Sequence, residues 1–231
     1  MKKKRIILLV GYKGLIGREL CKFFSKDPHS KLISIDKRIE KIDIANSRTL
    51  ETFLKKNRNI EYIVNASGKN DHIERDKKFI EKIEDDKIMF EYIKANVIGP
   101  KNLIEISNKY CKNLKSIINF SSLYGSKSPF HPMYDKKKSL SYCVSKHALE
   151  GLTKYYSTIL AKKKIRINNV RLGCVKSNQP KKFKLSFINK TPINRLLDVK
   201  EIVPIVDFLC SEKSSYLIGE NISLDGGYKL W

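Results

Sequence analysis

The order of apolar runs along the chain is the feature that most constrains its fold. Short runs rich in Ile, Leu and Val alternate with longer stretches whose apolar residues recur at helical spacing. Apolar runs without polar alternation are typical of parallel strands covered by helices on both faces. The pattern predicts strands at residues 6–10, 32–36, 60–65, 116–121, 165–171 and 221–224. It predicts helices at residues 15–24, 47–56, 79–110 in one or two pieces, 142–161 and 199–210, with Pro204 as a candidate kink in the last.

This alternation predicts one α/β domain over residues 1–231. Crossovers between parallel strands are right-handed, so the pattern favours a Rossmann-type doubly wound parallel sheet. A chain of 231 residues suits a single domain of this kind. Two connections, at about 127–140 and 175–198, are long for a compact domain, and such loops are often functional. We expect both to border a small-molecule substrate, with a solvated surface loop as the alternative for 127–140.

The charge of the chain is strongly positive. Lys and Arg number 47 against 24 Asp and Glu, a formal net charge of +23. Such a charge can attract nucleic acid or an acidic partner. The lysines are spread over the whole chain, however, and no aromatic-rich RNA-binding motif accompanies them. We expect no nucleic-acid partner and interpret the charge as compositional, with a functional basic surface as the alternative.

The first ten residues have basic residues before apolar ones, as signal peptides do. The apolar run ends after five residues at Gly11, and no small-residue cleavage site follows. No run of 18 apolar residues occurs, so we expect no membrane partner. Five cysteines without C-x-x-C pairs or metal-ligand spacing favour a cytoplasmic protein with no disulfide and no metal.

A glycine-rich segment follows the first predicted strand and opens the first predicted helix. Glycines in such a turn let a pyrophosphate approach the backbone, and the helix N-terminus supplies N–H groups and a positive dipole end. The motif predicts dinucleotide binding, whereas chance glycines in a β–α turn are the alternative. The candidate residues are Gly11, Tyr12, Lys13, Gly14, Leu15, Ile16 and Gly17.

Asp36 ends the second predicted strand. A carboxylate there accepts hydrogen bonds from the adenosine ribose and repels a 2′-phosphate, which favours NAD. Lys13, Lys37 and Arg38 are positive neighbours, so NADP is also compatible with the sequence. An ordinary turn residue is the alternative interpretation of Asp36.

Tyr142 and Lys146 are four residues apart in a predicted helix and therefore share one of its faces. A free phenol has a pKa of about 10, and a neighbouring ammonium lowers it. The pair can therefore exchange a proton near neutral pH. Ser122, after a predicted strand, supplies a hydroxyl that can hold a substrate oxygen. The spacing alone also occurs by chance on solvated helices.

Ordered motifs along nearly the whole chain resemble the short-chain dehydrogenase/reductase family. They are Gly11/Gly14/Gly17, Asp36, Asp43-Ile44, Asn65-Ala66, Asn96, Ser121-Ser122, Tyr142/Lys146, residues 166–173 and residues 218–227. The resemblance implies an NAD(P)-dependent oxidoreductase that transfers a hydride between nicotinamide and a carbonyl or alcohol carbon.

The resemblance also implies individual roles. Ser122 orients the substrate carbonyl and Tyr142 exchanges its proton. Lys146 binds the nicotinamide ribose and lowers the pKa of Tyr142, and Asn96 holds a water in the proton relay. Asp43 meets the adenine, and Val175 and Ser177 contact the nicotinamide carboxamide. The further cofactor residues on this basis are Lys37, Ile44, Asn65, Ala66, Ser67 and Gly173, together with Tyr142 and Lys146.

The chain departs from the family in its glycine spacing and in the distance between Ser122 and Tyr142, which indicates an insertion. The insertion and Asn178-Gln-Pro180 resemble a bacterial branch that modifies surface polysaccharide or flagellin, which implies a sugar or nucleotide-sugar substrate. The alternatives are a 3-oxoacyl-[acyl-carrier-protein] reductase-like enzyme, against which Asp36 argues, and a non-catalytic cofactor-binding regulator. A terminal Trp231 favours a homodimer or homotetramer that covers it.

Overall fold

Six parallel strands form one sheet in the computed structural model, which describes residues 4–70, 86–134 and 137–230. The strands are β1 (Arg5–Val10), β2 (Ser30–Ile35), β3 (Tyr62–Asn65), β4 (Ser116–Ser122), β5 (Arg166–Leu172) and β6 (Asn221–Leu224). Their order across the sheet is β2-β1-β3-β4-β5-β6. The chain runs from β1 to β2 on one side and then crosses back to β3 on the other side of β1, so the predicted doubly wound sheet is confirmed.

Helices cover both faces of this sheet. They are α1 (Leu15–Lys26), α2 (Ser47–Lys56), α3 (Asp86–Ile93), α4 (Gly99–Tyr110), α5 (Leu140–Leu160), α6 (Lys181–Asn189) and α7 (Ile202–Leu209). In β1, Leu8 faces the core shared with α2, α4 and α5, whereas Ile7 and Leu9 face the core shared with α1 and α7. Alternate side chains of a strand point to opposite faces, so a run that is apolar throughout is buried on both.

The structure adds detail to the predicted helices in three places. Residues 86–110 of the predicted 79–110 helix are α3, one π-helical turn (Lys94–Ile98) and α4, and 79–85 lie outside the described residues. The 175–198 connection is not a simple loop, because it contains α6. Pro204 causes no break, because it lies in the first turn of α7, where a backbone N–H has no partner within the helix.

A row of four asparagines crosses the sheet interior. Asn65, Asn119, Asn169 and Asn221 are register partners on β3, β4, β5 and β6. The Asn65 amide donates to Asn119 Oδ1 at 3.0 Å, and the Asn169 amide donates to Asn221 Oδ1 at 2.7 Å. Asn169 Oδ1 also accepts a bond from the Thr153 hydroxyl on α5. Buried amides require such partners, so side chains as well as backbone join β3 to β4 and β5 to β6.

None of the helices in the described part of the chain combines the length and apolar character that a membrane crossing requires. In the same residues, no group of three or more His, Cys, Asp or Glu side chains is arranged to hold a metal ion. None of the five cysteines is in a disulfide.

Arg5 links β1 to both helices on one side of the sheet. Its guanidinium donates to Ser30 Oγ, to the Cys210 carbonyl and to the carboxylates of Asp27 and Asp207. Burial opposes ionisation of Asp27, but hydrogen bonds from Ser30, the His29 N–H and Arg5 outweigh it and lower the Asp27 pKa to about 2. The ionised carboxylate therefore stabilises the fold.

We predict that Asp27→Asn lowers the free energy of unfolding at pH 6 by about 1–2 kcal/mol, because the ionised carboxylate is lost. The effect is no larger because water at the exposed Asp207 screens the network. Because the pKa of Asp27 is lower in the folded state, its carboxylate stabilises the fold fully at pH values above the unfolded pKa of 3.8. This stabilisation is lost as the pH falls through the folded pKa of about 2. The difference from wild type should therefore shrink between pH 5 and pH 2 in urea titrations. An equal deficit at both ends of that range would contradict the electrostatic origin. Asp86→Asn, an exposed carboxylate outside the network, is the control.

Candidate active site

A cavity of about 270 Å³ opens at the carboxyl ends of β3, β4 and β5. This is the edge of the sheet where ligands bind in doubly wound folds, next to the point at which the strand order reverses. Many of the candidate residues from the sequence line it. They are Leu15, Ile16, Ala66, Ser67, Ser122, Tyr142, Lys146, Gly173, Val175 and Ser177.

The glycine segment is held against the end of β3 by contacts that leave no space for side chains. Gly11 has a φ of +80°, and a Cβ there would lie 2.8 Å from the Ser67 nitrogen. A Cβ on Gly17 would lie 2.2 Å from the Gly11 carbonyl oxygen. Gly14 differs, because its nearest such neighbour is 3.4 Å away. It is the N-cap of α1 and makes no side-chain capping bond, so this helix N-terminus fits a pyrophosphate.

Asp36 is buried directly after β2, and its carboxylate is already engaged. Both oxygens accept hydrogen bonds of 2.9 Å from the Arg38 guanidinium, and one also accepts the Lys13 N–H. Arg38, together with backbone N–H groups, lowers the Asp36 pKa to about 2 despite burial. The sequence suggested separate roles for Asp36 and Arg38, whereas the structure joins them. Glu40, which the sequence analysis did not identify, accepts bonds from the Asp36 N–H and the Tyr12 hydroxyl.

Like Asp36, three further predicted cofactor residues after β2 are not part of the cavity lining. Asp43 accepts a hydrogen bond from the Ala45 N–H at 2.9 Å and thereby shapes the turn before α2. Ile44 is buried against Gly99 at the start of α4. Lys37 is exposed. The structure does not bring these residues together with Tyr142, so any contact they make with a ligand involves a part of it outside the cavity.

Asn65 acts on the cavity through its neighbour. Its side-chain oxygen accepts bonds from both the N–H and the hydroxyl of Ser67, at 3.2 and 2.6 Å. Ser67 lines the cavity, whereas the buried Asn65 side chain does not. The amide therefore orients the turn after β3.

Tyr142 and Lys146 lie on one face of α5. Ser139 caps the helix by accepting the Tyr142 N–H, so the phenol is in the first turn. The Lys146 ammonium donates to the Phe120 carbonyl at 2.8 Å and lies 5.8 Å from the Tyr142 ring centroid. Burial lowers the pKa of Lys146 to about 8. Ser122 also lines the cavity, and its Oγ accepts the Tyr124 N–H at 3.2 Å.

Asn96 lies in the π-helical turn between α3 and α4, a feature that often marks functional sites. Its side chain pairs with both backbone groups of Lys69 and donates to Ser145 Oγ at 2.9 Å. A Cβ on Gly68 would lie 2.9 Å from Asn96 Oδ1 and 3.9 Å from Lys146 Nζ. Asn96 therefore lies close to Lys146 across Gly68, although its side chain is directed to the backbone of Lys69.

An aromatic wall, made of Tyr124, Tyr134, Phe183 and Phe187, forms part of the cavity lining. The Tyr124 and Tyr134 hydroxyls are hydrogen-bonded, and Phe187 stacks on Tyr228 with centroids 4.5 Å apart. Phe183 and Phe187 are buried on α6. Their i,i+4 spacing was the available sequence signal for that helix, and the lysines around them obscured it.

A buried ion pair that was not predicted from the sequence lies beneath the cavity. The Arg171 guanidinium on β5 donates to both oxygens of Glu150, at 2.9 and 2.6 Å, and Ser121 Oγ donates to the same carboxylate. Glu150 is one turn after Lys146 on α5. The pair therefore fixes that helix against β4 and β5, and nothing in the local sequence pattern reveals it.

A family model described as "Enoyl-(Acyl carrier protein) reductase" matches residues 31–229. The chain belongs to the short-chain dehydrogenase/reductase family. As a member of this family it is an NAD(P)-dependent oxidoreductase, which confirms the family and enzyme class expected from the motifs.

Individual relatives agree with this assignment. The 3-oxoacyl-[acyl-carrier-protein] reductase of Thermotoga maritima is 28% identical over 77% of this chain and 70% of its own length. Dehydrogenase/reductase SDR family member 4 of Sus scrofa is 34% identical over 62% of this chain and 50% of its own. A short-chain dehydrogenase of Leptospira borgpetersenii, solved with bound NAD⁺, has the same fold. It superposes with a TM-score of 0.84 at 24% identity, over 98% of this chain and 93% of that one.

We predict stability losses of very different size for alanine at two positions of the glycine segment. Gly17→Ala should lower the free energy of unfolding by about 2 kcal/mol or more, because its methyl group meets the fixed Gly11 carbonyl. Gly14→Ala, the matched control, should change it by less than about 1 kcal/mol, because the contact it adds is ordinary. Urea titration of both variants measures this. Equal losses would show that the close approach at Gly17 is not the constraint.

Proposed function

We propose that the protein transfers a hydride between a nicotinamide dinucleotide and a carbonyl or alcohol carbon, with Tyr142 as acid/base. The observation that carries the proposal is the convergence of Tyr142, Lys146 and Ser122 on one cavity that the glycine segment borders. A nucleophile, a metal cluster or a second acid/base pair is not needed for this chemistry.

The residues around the cavity fit a dinucleotide. The N-terminus of α1 holds the pyrophosphate, since a side chain does not cap it. The Asp36–Arg38 pair meets the adenosine ribose, and Lys146 meets the nicotinamide ribose. Val175 and Ser177 contact the carboxamide. When bound, the dinucleotide supplies or accepts the hydride.

The protein's own residues manage the proton. In the reductive direction the Tyr142 hydroxyl donates its proton to the substrate oxygen, and Ser122 Oγ donates a hydrogen bond to the same oxygen. The Lys146 ammonium stabilises the phenolate that results. Asn96 keeps Lys69 and the neighbouring turn in place beside Lys146. In the oxidative direction the same groups act in reverse.

The first candidate substrate is a 3-oxoacyl thioester. The aromatic wall offers apolar contact to an acyl chain, and the Thermotoga maritima relative is named for this reaction. The charge of +23 suits an acidic carrier. Asp36 does not exclude the NADPH that such reductases use, because Arg38 covers its carboxylate and offers a cation to a 2′-phosphate.

A sugar or nucleotide sugar, as in surface-polysaccharide or flagellin modification, is the second candidate. The Tyr124 and Tyr134 hydroxyls give the wall polar groups for sugar hydroxyls, and ring faces pack well on sugar C–H groups. Tyr134 belongs to the insertion that carries the branch resemblance.

We also propose a cytoplasmic homodimer or homotetramer. Trp231, which suggested an interface, lies outside the described residues.

We predict that Tyr142→Phe lowers kcat/KM by about 10²–10⁴-fold while dinucleotide affinity is retained, because only the proton donor is removed. The assay follows NADH and NADPH absorbance with 3-oxoacyl thioesters and with keto- and nucleotide sugars. Tyr155→Phe is the matched control, since Tyr155 lies on the same helix but is 64% exposed. An active Tyr142→Phe enzyme would refute the mechanism. Binding of dinucleotide without turnover of any substrate would favour the non-catalytic regulator.

Cofactor preference should depend on the Asp36–Arg38 pair as a unit. We predict that Arg38→Ala raises the ratio of kcat/KM for NADH over NADPH, because it frees the carboxylate for the ribose and removes a phosphate ligand. Asp36→Asn should lower the ratio, because it releases the guanidinium and removes the repelling charge. Each change should be about tenfold. Arg58→Ala, an exposed arginine after α2, is the control. Movement of both variants in the same direction would contradict this assignment.

A further inference from the structure

Lys138 is a buried lysine beside the catalytic phenol. It lies just before α5 and is only 5% exposed, whereas the adjacent Lys137 is exposed. Burial of an ammonium group is costly unless nearby groups interact with it. Its Nζ donates to Asn70 Oδ1 at 3.1 Å. This bond helps to hold the charge at a defined place beside Tyr142.

The ammonium group of Lys138 lies closer to the Tyr142 ring than the ammonium group of Lys146 does. Lys138 Nζ lies 4.1 Å from the centroid of the Tyr142 ring, against 5.8 Å for Lys146 Nζ. The phenol therefore has two buried ammonium groups as neighbours. Lys146 is committed to the Phe120 carbonyl, whereas Lys138 approaches the aromatic ring itself.

We propose that Lys138 is a positioning residue that favours the phenolate form of Tyr142, so that two lysines rather than one set the acidity of this group. The inference rests on the acid/base role proposed above for Tyr142. A cation near an aromatic ring attracts the neutral ring weakly. It attracts the phenolate much more strongly, since that form carries a full negative charge shared between oxygen and ring.

The other groups near Tyr142 do not replace this effect. Tyr92, on α3, packs edge-on against Tyr142 with ring centroids 6.3 Å apart. Lys69 Nζ lies 5.4 Å from the centroid of the Tyr92 ring and so interacts with that ring. Burial raises the pKa of Tyr124, Tyr134, Tyr228 and Cys174, so these stay neutral. On α5, Cys143 is adjacent, and Glu150 is neutralised by Arg171. Among the described groups that contact Tyr142, Lys138 and Lys146 therefore carry the charge.

Lys138 also acts on Lys146. Burial lowers the pKa of Lys146 to about 8, and repulsion from Lys138 contributes to the lowering. Loss of the Lys138 charge should therefore raise the pKa of both Tyr142 and Lys146. Because the two groups titrate as a pair, the whole pH profile should move to higher pH.

The test is the pH dependence of kcat/KM in Lys138→Met, with Lys137→Met as the matched control and Lys138→Arg as the conservative variant. We expect an alkaline shift of about one pH unit for Lys138→Met, the lower end of the effect of a charge at this distance. Lys137→Met and Lys138→Arg should keep the wild-type profile. An unshifted Lys138→Met profile would overturn the proposal. So would a raised KM alone, which would indicate that Lys138 binds an anionic substrate.

Two further variants complete the design. Asn70→Ala removes the acceptor of Lys138 Nζ and should shift the profile in the same direction by a smaller amount. If Lys138→Met does not fold, an unshifted Asn70→Ala profile overturns the proposal instead. The Tyr142→Phe variant distinguishes failure of the proposed acid/base function from failure of the proposed Lys138 role. An active Tyr142→Phe enzyme refutes the proposed function, whereas an inactive one with an unshifted Lys138→Met profile refutes only the role of Lys138.

Discussion

The close backbone contact between Gly11 and the turn at Ala66–Ser67 is the constraint on which the site depends. It brings the end of β1 against the end of β3, where the strand order reverses. A Cβ on Gly11 would lie 2.8–2.9 Å from that turn, so a larger residue would force the two strands apart. Gly17 then seats α1 on the Gly11 carbonyl. The helix N-terminus and the cavity are adjacent because these two contacts allow no side chain.

The electrostatic effect of the cations around the cavity depends on their burial rather than on the total number of basic residues in the chain. The chain has a large excess of lysine and arginine, yet among the described residues only Lys69 and Lys146 contribute a cation to the cavity lining. Lys146 is buried and bonded to a backbone carbonyl, Lys138 contacts the phenol ring, and Arg38 covers Asp36. Because water is excluded from Lys146 and Lys138, their effect on a neighbouring group is larger than that of the exposed lysines.

Much of the fold and part of the candidate site could be predicted from the sequence. Strand and helix positions follow from local periodicity, and α2 and β6 match the predicted bounds. Tyr142, Lys146 and Ser122 were recognisable because their order along the chain accompanies that alternation. Lys138 was not, because burial of one lysine among several in a loop is decided by tertiary packing. The Asp36–Arg38 pair escaped for a similar reason, since only the folded turn shows which partner the carboxylate takes.

The asparagine row has a consequence for how the sheet assembles. Slippage of β4 by one residue would turn its apolar side chains to the wrong face, and packing alone would reject it. Slippage by two residues keeps every face correct, so packing detects it poorly. It would, however, set Ile117 or Ser121 beside Asn65 and remove the amide bond to Asn119. A buried amide without a partner costs about 1–3 kcal/mol. The Asn65–Asn119 bond therefore selects the correct register of β4 against a two-residue shift that apolar packing alone would tolerate.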